Sequence, residues 1–530
     1  MNPFGFRDRE STLKLNTANG PVDVFVRIIN SSLASQAVGP PGSDFEMSWA
    51  GRTFPDIGKK LLTMQPLARQ LVHPKDSVLG LMSRARVVGT TLSGLKGLKD
   101  RTTGRPTTYT KMVQAAFQDQ WWNDTTSVFT PVAGSAVVQK ASVADPRTLV
   151  LNPGKATVSR RALGAPLGAG QYSQMMWNFS LFWGLAVQAY EATLVSDDTP
   201  FDRFMGAPSL DTPIPPDPNA LTDQEQLGLA IFDDPGIDGS PGNGAKCNNC
   251  HILPITSGHT VLDMNPDLQG VPQSTEGIIE DMVMGDGTVA NYDHGMYNIA
   301  VRRTNEDLGR AGTAPFTNRI TGAPFPLSYV ELTALNSSTA CTDPNGNSIP
   351  CCVDDNQSPI SCLPPDVARF VPDVPMQNRR VTEGAFKVPN IRNALYTGPY
   401  MHNGDSATLR QVVEFYVRGG NFPNTNLNEL TVDIEGINEL RFPEFDPFAR
   451  QRVEALVAFL ANALTDPRVA LEKAPFDHPQ LFVPNGSPAR NPAADTMLEI
   501  KAVGNAGRPN VRGKPNPIPT FLKLDPQFGG

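Results

Sequence analysis

The sequence predicts a mostly α-helical protein whose helices are joined by long irregular loops. Three observations carry that prediction. Apolar residues recur at helical spacing in several stretches of the chain. Glycine (45 residues) and proline (49 residues) are abundant, which demands extensive non-regular backbone. A Cys-x-x-Cys-His motif at Cys247, Cys250 and His251 directly follows a capped helix and a glycine-rich loop.

The chain has 530 residues, enough for two or three domains. Hydrophobic residues make up 40% and charged residues 18%, the balance of a soluble globular protein. The formal net charge is -8 and no Lys/Arg cluster stands out, so no nucleic-acid surface is expected. No apolar run reaches the roughly 18 residues of a membrane span. The nearest, Trp177 to Tyr190, is broken by Asn178, Ser180 and Gln188.

Before residue 207, two apolar stretches read as helices, Tyr109 to Trp122 and Tyr172 to Leu194. Their aromatics Trp121, Trp122, Trp177, Trp183 and Tyr190 are expected in the core, with aromatic electron relays as the other reading. Residues 207–219, "APSLDTPIPPDPN", form a Pro-rich linker. Thr222-Asp223-Gln224-Glu225 is a capping box that opens a helix, with Leu227, Ala230 and Ile231 as its apolar stripe. Between Phe386 and Gly420, Ser406 or Thr408 can cap a helix that Gly419 and Gly420 end. On it, Leu409, Val412, Val413 and Tyr416 share one face. A closing helix is expected from Pro447 to Thr465, with Val453, Leu456, Val457, Leu460, Ala463 and Leu464 at helical spacing. The tail, 475–530, reads as irregular.

The motif at Cys247 has a mechanical reason. Cys-x-x-Cys-His is the attachment signature of c-type haem. Two thiols on a short turn match the separation of the two porphyrin vinyl groups, and the next residue aims an imidazole at the iron. A thioredoxin-like pair would need a preceding strand, and the preceding stretch is a loop. A zinc site would need a second Cys/His pair, which is missing. Haem c is therefore expected, one per chain, in a cytochrome c-like domain spanning 220–474. Met401, Tyr416 and His402 are the candidates for the opposite face of the iron. Taken alone, Tyr416 reads as a core tyrosine, Met401 as the default ligand of an electron carrier, and His402 as a structural group. The remaining cysteines, Cys341, Cys351, Cys352 and Cys362, crowd one Pro/Asn/Asp-rich loop. They read as two disulfides of undetermined pairing, with a structural zinc site as the rival; disulfides imply an oxidising compartment.

"KVPNIRNALYTGPYMHNG", followed by "ATLRQVVEFY", resembles the C-terminal domain of the bacterial dihaem cytochrome c peroxidases and the related MauG proteins. "MYNIAVRRTNEDLGR" (296–310) is also similar to a segment of longer members. The resemblance implies that Tyr416 occupies the distal ligand position, tyrosine in MauG-like members and methionine in the peroxidases. It implies a calcium ion held partly by carbonyls of Thr397 and Pro399. In "SQAVGPPGSDFEMSW", the resemblance implies that Gln36, Pro40 and Glu46 belong to the distal pocket of a second, peroxidatic haem. Glu46 would there take and return a proton as the peroxide O–O bond breaks.

The chain departs from that family in three ways. No first Cys-x-x-Cys-His motif precedes residue 36. A Trp-Asp-Gly-Arg stretch expected before "NPFG" is absent. Met1 to Asp8 is not a signal peptide. Met1 therefore reads as internal to a longer protein, with residues 1–206 the remnant of a peroxidase-type cytochrome c domain. The second haem and the export signal are expected upstream, and the periplasm or cell envelope is the expected location. The expected activity is electron transfer coupled to hydrogen peroxide reduction. The expected partners are a small electron-donor protein or a quinol-linked donor, with a homodimer as an option. The alternatives are a monohaem electron-transfer protein and a MauG-like oxidase of a partner protein.

Overall fold

The computed structural model describes residues 12–24, 26, 28, 31–42, 47–49, 52–131, 136–140, 148–153, 156–206, 215–233, 244–253, 279–317, 324–337, 341–342, 348–349, 379–431, 434, 445–486 and 495–527. The backbone gathers into two compact units. The first joins Met1–Val195 to Leu471–Asn516, and the second joins Ser196–Ala470 to Pro517–Gly530.

The expected mostly helical fold is corrected. Helix accounts for 32% and strand for 20% of the structure. Among the described residues there are eight two-stranded sheets and one of three strands. Only the pairs Cys341–Thr342 with Ser348–Ile349 and Leu481–Pro484 with Met497–Ile500 fall in stretches read above as loop or irregular; the other described strands lie before or between the expected helices. A short hairpin needs little apolar periodicity; it needs a turn. Strands β1 (Leu13–Thr17) and β2 (Gly20–Val24) pair across an Ala18-Asn19 turn, and Gly20 takes φ 103° there.

In the first unit, helices α1 (Ser32–Ala37), α2 (Phe54–Leu61), α3 (Tyr109–Ala116), α4 (Gln174–Trp177) and α5 (Phe179–Glu191) surround one apolar cluster. Phe54, Ile57, Val113, Phe179 and Phe182 are buried in it. Thr53 and Asp56 close a capping box on α2, and Pro55 sits in its first turn, where a missing N–H costs nothing. Trp177 is fully buried and donates to the Thr12 carbonyl at 3.0 Å; Trp183 donates to the Ala37 carbonyl at 2.9 Å. Trp121 and Trp122 are partly buried against the same cluster. Tyr190 departs from the core expectation, being 42% exposed. Residues 471–516 supply this unit with a hairpin, Leu481–Pro484 paired antiparallel with Met497–Ile500.

In the second unit, α6 (Pro200–Met205), α7 (Asp223–Phe232), α8 (Tyr329–Ser337), α9 (Leu409–Val417) and α10 (Pro447–Ala458) are the principal helices. Thr222 and Glu225 form the capping box of α7, and Thr408 and Gln411 that of α9, so Thr408 rather than Ser406 is the cap. After α10 the backbone widens into a π-helical turn over Phe459–Ala463. α7 lies directly against α10. A Cβ on Gly228 would stand 2.1 Å from the Ala455 carbonyl oxygen and 2.7 Å from Phe459 Cβ. The core here includes Ile231, Phe232, Leu409, Val413, Val453, Leu456, Phe459 and Leu464.

A second apolar cluster of this unit is built on a small sheet. Strand β3 (Ile279–Val283) runs antiparallel to β4 (Val289–Asp293), which pairs in parallel with Arg380–Val381. Met296–Tyr297 pairs with Phe386–Lys387. Met284, Ala290, Tyr292, Tyr297 and Val381 are buried together. The cysteine-rich loop lies mostly outside the described residues. So do Cys351, Cys352 and Cys362; Cys341 is in the short strand Cys341–Thr342, paired with Ser348–Ile349.

Candidate functional site

The loop after α7 returns at Ala245, whose N–H donates to the Ile231 carbonyl at 2.7 Å. Lys246 takes a left-handed conformation (φ 53°), and Cys247–Asn249 form one 3-10 turn. The His251 N–H then donates to the Cys247 carbonyl at 2.8 Å. The Asn248 side chain pins this turn: it donates to Asp233 at 2.9 Å and accepts from the Leu253 N–H at 2.8 Å.

Each motif residue faces a different neighbour. Cys247 packs against the helical core, and Cys250 against the sheet-side cluster that holds Tyr292 and Tyr297. Both are thiols rather than halves of a disulfide. Burial pushes the Cys247 thiol up to about 12, so it stays protonated at neutral pH.

The His251 ring is oriented by the backbone. Its Nδ1 lies 3.1 Å from the Pro389 carbonyl oxygen. A carbonyl can only accept, so Nδ1 carries the proton and Nε2 presents its lone pair. This is how a metal-ligating imidazole is usually held. Two thiols on one turn and an imidazole oriented by a backbone carbonyl form the donor set a c-type haem needs.

Tyr416 sits on α9, partly buried against Ala300, Leu430 and Ile434. Its phenol is raised above the usual range, first by burial and then by the neighbouring Cys250 and Cys247. The end of α9 is fixed by close backbone approach. Gly420 takes φ +92°, and a Cβ on it would lie 2.8 Å from Ala300 Cβ. Neutral Tyr416 is favoured in this apolar setting; a nearby cation such as ferric iron would reverse that preference.

The other predicted residues lie elsewhere. Met401 is in a tight turn with φ 65°, closed by the Gly404 N–H on the Met401 carbonyl at 3.2 Å. His402 is occupied structurally: Nε2 is 2.6 Å from Asp307, and its ring stacks on Phe386 at 3.9 Å. Thr397 and Pro399 flank Gly398, and the Thr397 hydroxyl donates to the Ala394 carbonyl at 3.2 Å. Among the described residues no group of three or more His, Cys, Asp or Glu side chains could hold a metal ion. Calcium near Thr397 and Pro399 would thus have to rely on backbone oxygens. In the first unit, Gln36 is exposed on α1 and Pro40 opens a 3-10 turn, Pro40–Gly42. Glu46 lies outside the described residues.

Sequence reasoning missed a buried polar group beside Cys250. Glu280 on β3, His294 just after β4, and Tyr297 are 7%, 1% and 5% exposed. Their spacing matches no metal or catalytic motif, and only the pairing of β3 with β4 brings Glu280 to His294, 3.9 Å away.

No family model matches the chain. Relatives do. The chain is 25% identical over 286 residues to the cytochrome-c peroxidase IdrP1 of Pseudomonas sp. (strain SCT), covering 53% of this chain and 49% of that protein. It is 40% identical over 93 residues to the methylamine utilization protein MauG of Paracoccus denitrificans (strain Pd 1222), covering 16% of this chain and 24% of that protein. The chain is thus similar to cytochrome-c peroxidases and to MauG. It spans about half the length of the peroxidase relative. A solved structure of a MauG-like protein associated with microbial copper homeostasis is 18% identical, with a TM-score of 0.26, over 57% of this chain and 55% of that one. Among the described residues no helix is long and apolar enough to cross a membrane.

Proposed function

We infer that this chain carries one covalently attached c-type haem and serves as an oxidoreductase that moves electrons for hydrogen peroxide reduction. The observation that carries the reading is the His251 imidazole, oriented by the Pro389 carbonyl beside two thiols on one turn. When bound, the haem supplies one-electron redox chemistry. The chain's own residues hold and tune it. Cys247 and Cys250 tether it, His251 coordinates from one side, and Tyr416 from the other, with Met401 the alternative. A phenolate is a hard anionic donor that favours ferric and higher states, whereas a thioether favours ferrous iron.

Gln36, Pro40 and Glu46 would line the peroxide pocket of a second haem carried by the longer protein, with Glu46 moving the proton. Residues 1–206 would be what remains of that domain. Thr397 and Pro399 would offer carbonyls to calcium. The protein would work outside the cytoplasm and take electrons from a small donor protein or a quinol-linked donor. The similarity to MauG keeps a second reading open, oxidation of residues on a partner protein.

The test is turnover. The haem-loaded full gene product should consume peroxide at the expense of a reduced donor, and Glu46→Gln should abolish most of that turnover while keeping the haem. Full turnover in Glu46→Gln would remove Glu46 from the proton transfer. A haem-loaded wild type that leaves peroxide untouched would end the peroxidase reading.

A further inference from the structure

The bond from His251 Nδ1 to the Pro389 carbonyl faces solvent. Water competes for both groups there, so the bond persists only if the carbonyl cannot drift. Pro389 has no N–H of its own to be tied down by. The backbone on either side must fix it. On the near side, Lys387 pairs with Met296, and the Val388 N–H donates to the Gly295 carbonyl at 2.9 Å. On the far side, the Asn390 side chain accepts from the Arg392 N–H at 2.7 Å and closes a tight turn on its own backbone.

Arg392 anchors that turn. Its guanidinium meets both oxygens of Asp202 at 2.6 Å, a planar fork on a planar fork, and also donates to the Ser196 carbonyl at 3.0 Å. Asp202 is 2% exposed and is itself held on α6, where its Oδ2 accepts from the Thr199 N–H at 2.9 Å and hydroxyl at 2.7 Å. The next residue, Asn393, donates its N–H to the Leu464 carbonyl at 2.8 Å and its side-chain amide to the Ser196 hydroxyl at 2.6 Å. Packing alone does not call for this charge, because Ile391 already lies against the helical core. What the pair adds is direction: a bidentate fork admits one orientation, and losing either partner strands the other charge in the interior.

We propose that Arg392 and Asp202 are positioning residues for the His251 ligand: their ion pair holds the Pro389 carbonyl where it accepts the Nδ1 proton. The proposal deepens the haem reading above and rests on it. A carbonyl held in place draws on the Nδ1 proton and makes the imidazole a stronger donor to iron. A stronger donor favours ferric over ferrous iron, the same direction as a Tyr416 phenolate. A loosened carbonyl would let water take its place and let the ring turn. Arg392 thus acts on His251 through three links, the ion pair, the Asn390 turn and the Pro389 carbonyl.

The experiment is proton NMR of the haem-loaded full-length ferric protein, with isotope-labelled histidine to assign the His251 Nδ1 proton and transfer into heavy water to time its exchange. The midpoint potential is measured on the same samples. Arg392→Lys keeps the charge but loses the fork. It and Asp202→Asn should each exchange that proton about tenfold faster and raise the midpoint potential, with haem still covalently attached. Gly228→Ala is the control for lost stability: its haem-loaded fraction should melt earlier yet keep the wild-type exchange rate and potential. Wild-type exchange and potential in both Arg392→Lys and Asp202→Asn overturn the proposal and leave the haem reading standing. Equal changes in Gly228→Ala also overturn it, because general loosening would then account for them. If neither ion-pair variant folds, Asn390→Ala decides, since it frees the turn and spares the pair: faster exchange supports the proposal and unaltered exchange overturns it. A wild type that acquires no haem defeats the reading and the proposal together.

Discussion

At the scale of single residues, His251 and Cys247 set the chemistry and their surroundings set the terms. The thiol of Cys247, pushed up to about 12 from an ordinary 9.0, holds about a thousandfold less thiolate at neutral pH than a free cysteine. In haem-free protein, iodoacetamide should therefore alkylate Cys247 far more slowly than an exposed thiol near pH ~8, with the rate climbing steeply only in strong alkali. Peptide mass mapping of a time course checks this, and rapid labelling at neutral pH would contradict it. For Tyr416 the expectation is optical and magnetic. Tyr416→Phe should keep the covalent haem but change the ferric low-spin spectrum, whereas an unaltered spectrum would hand the ligand position to Met401. These residues were legible because the motif and the helical face bearing Tyr416 are local patterns. Glu280 was not legible beside His294, since only strand pairing brings the two together.

At the scale of elements, the packing of α7 on α10 decides how well the Cys247–His251 turn is held. Gly228 is there because nothing larger fits beneath the Ala455 carbonyl. Gly228→Ala should cost about 1–3 kcal/mol through overpacking, read as a lower Tm, and should reduce the fraction of chain that acquires haem. An unchanged Tm would mean that the two helices separate easily. The helices themselves were readable in outline. Thr222/Glu225 and the apolar spacing after Pro447 anticipated α7 and α10. The stretch Tyr109 to Trp122 proved shorter, with α3 stopping at Ala116 and Asp119–Trp121 forming a separate 3-10 turn. The sheets went unread for a physical reason. Two-residue strands such as Met296–Tyr297 and Phe386–Lys387 are too short for alternation to register, and their partners lie far along the chain.

At the scale of the whole molecule, each unit keeps its own core, and residues 471–516 belong with the first. Ser77 donates from both N–H and hydroxyl to Asp477 at 2.7 and 2.6 Å, and Gln480 exchanges bonds with Gln70 and Leu71. Composition alone gave no hint of this return, because Pro- and Gly-rich sequence carries no address. Within the same segment, His478 lies 3.4 Å from Glu472, which also meets Arg508 at 3.2 Å. His478 is held above its ordinary 6.5, chiefly by the hydrogen bond to Glu472. Its stabilising contribution is complete below that value and fades as pH rises through the raised one. Burial alone would raise Glu472, but His478 and Arg508 outweigh it and hold it below its ordinary 4.5. That contribution is complete above 4.5 and is lost as pH falls through the depressed value. The pair therefore helps most between those two ordinary values. His478→Ala should lower Tm near pH ~6 and have little effect near pH ~9. An equal loss at both would assign the effect to packing.

The most direct measurement is the haem stoichiometry of the chain after expression with a haem c maturation system, by pyridine haemochrome following acid–acetone extraction. One haem per chain that resists extraction, lost when Cys247 and Cys250 are both replaced by serine, is the predicted result. Colourless protein, or haem that the solvent removes completely, would contradict the account.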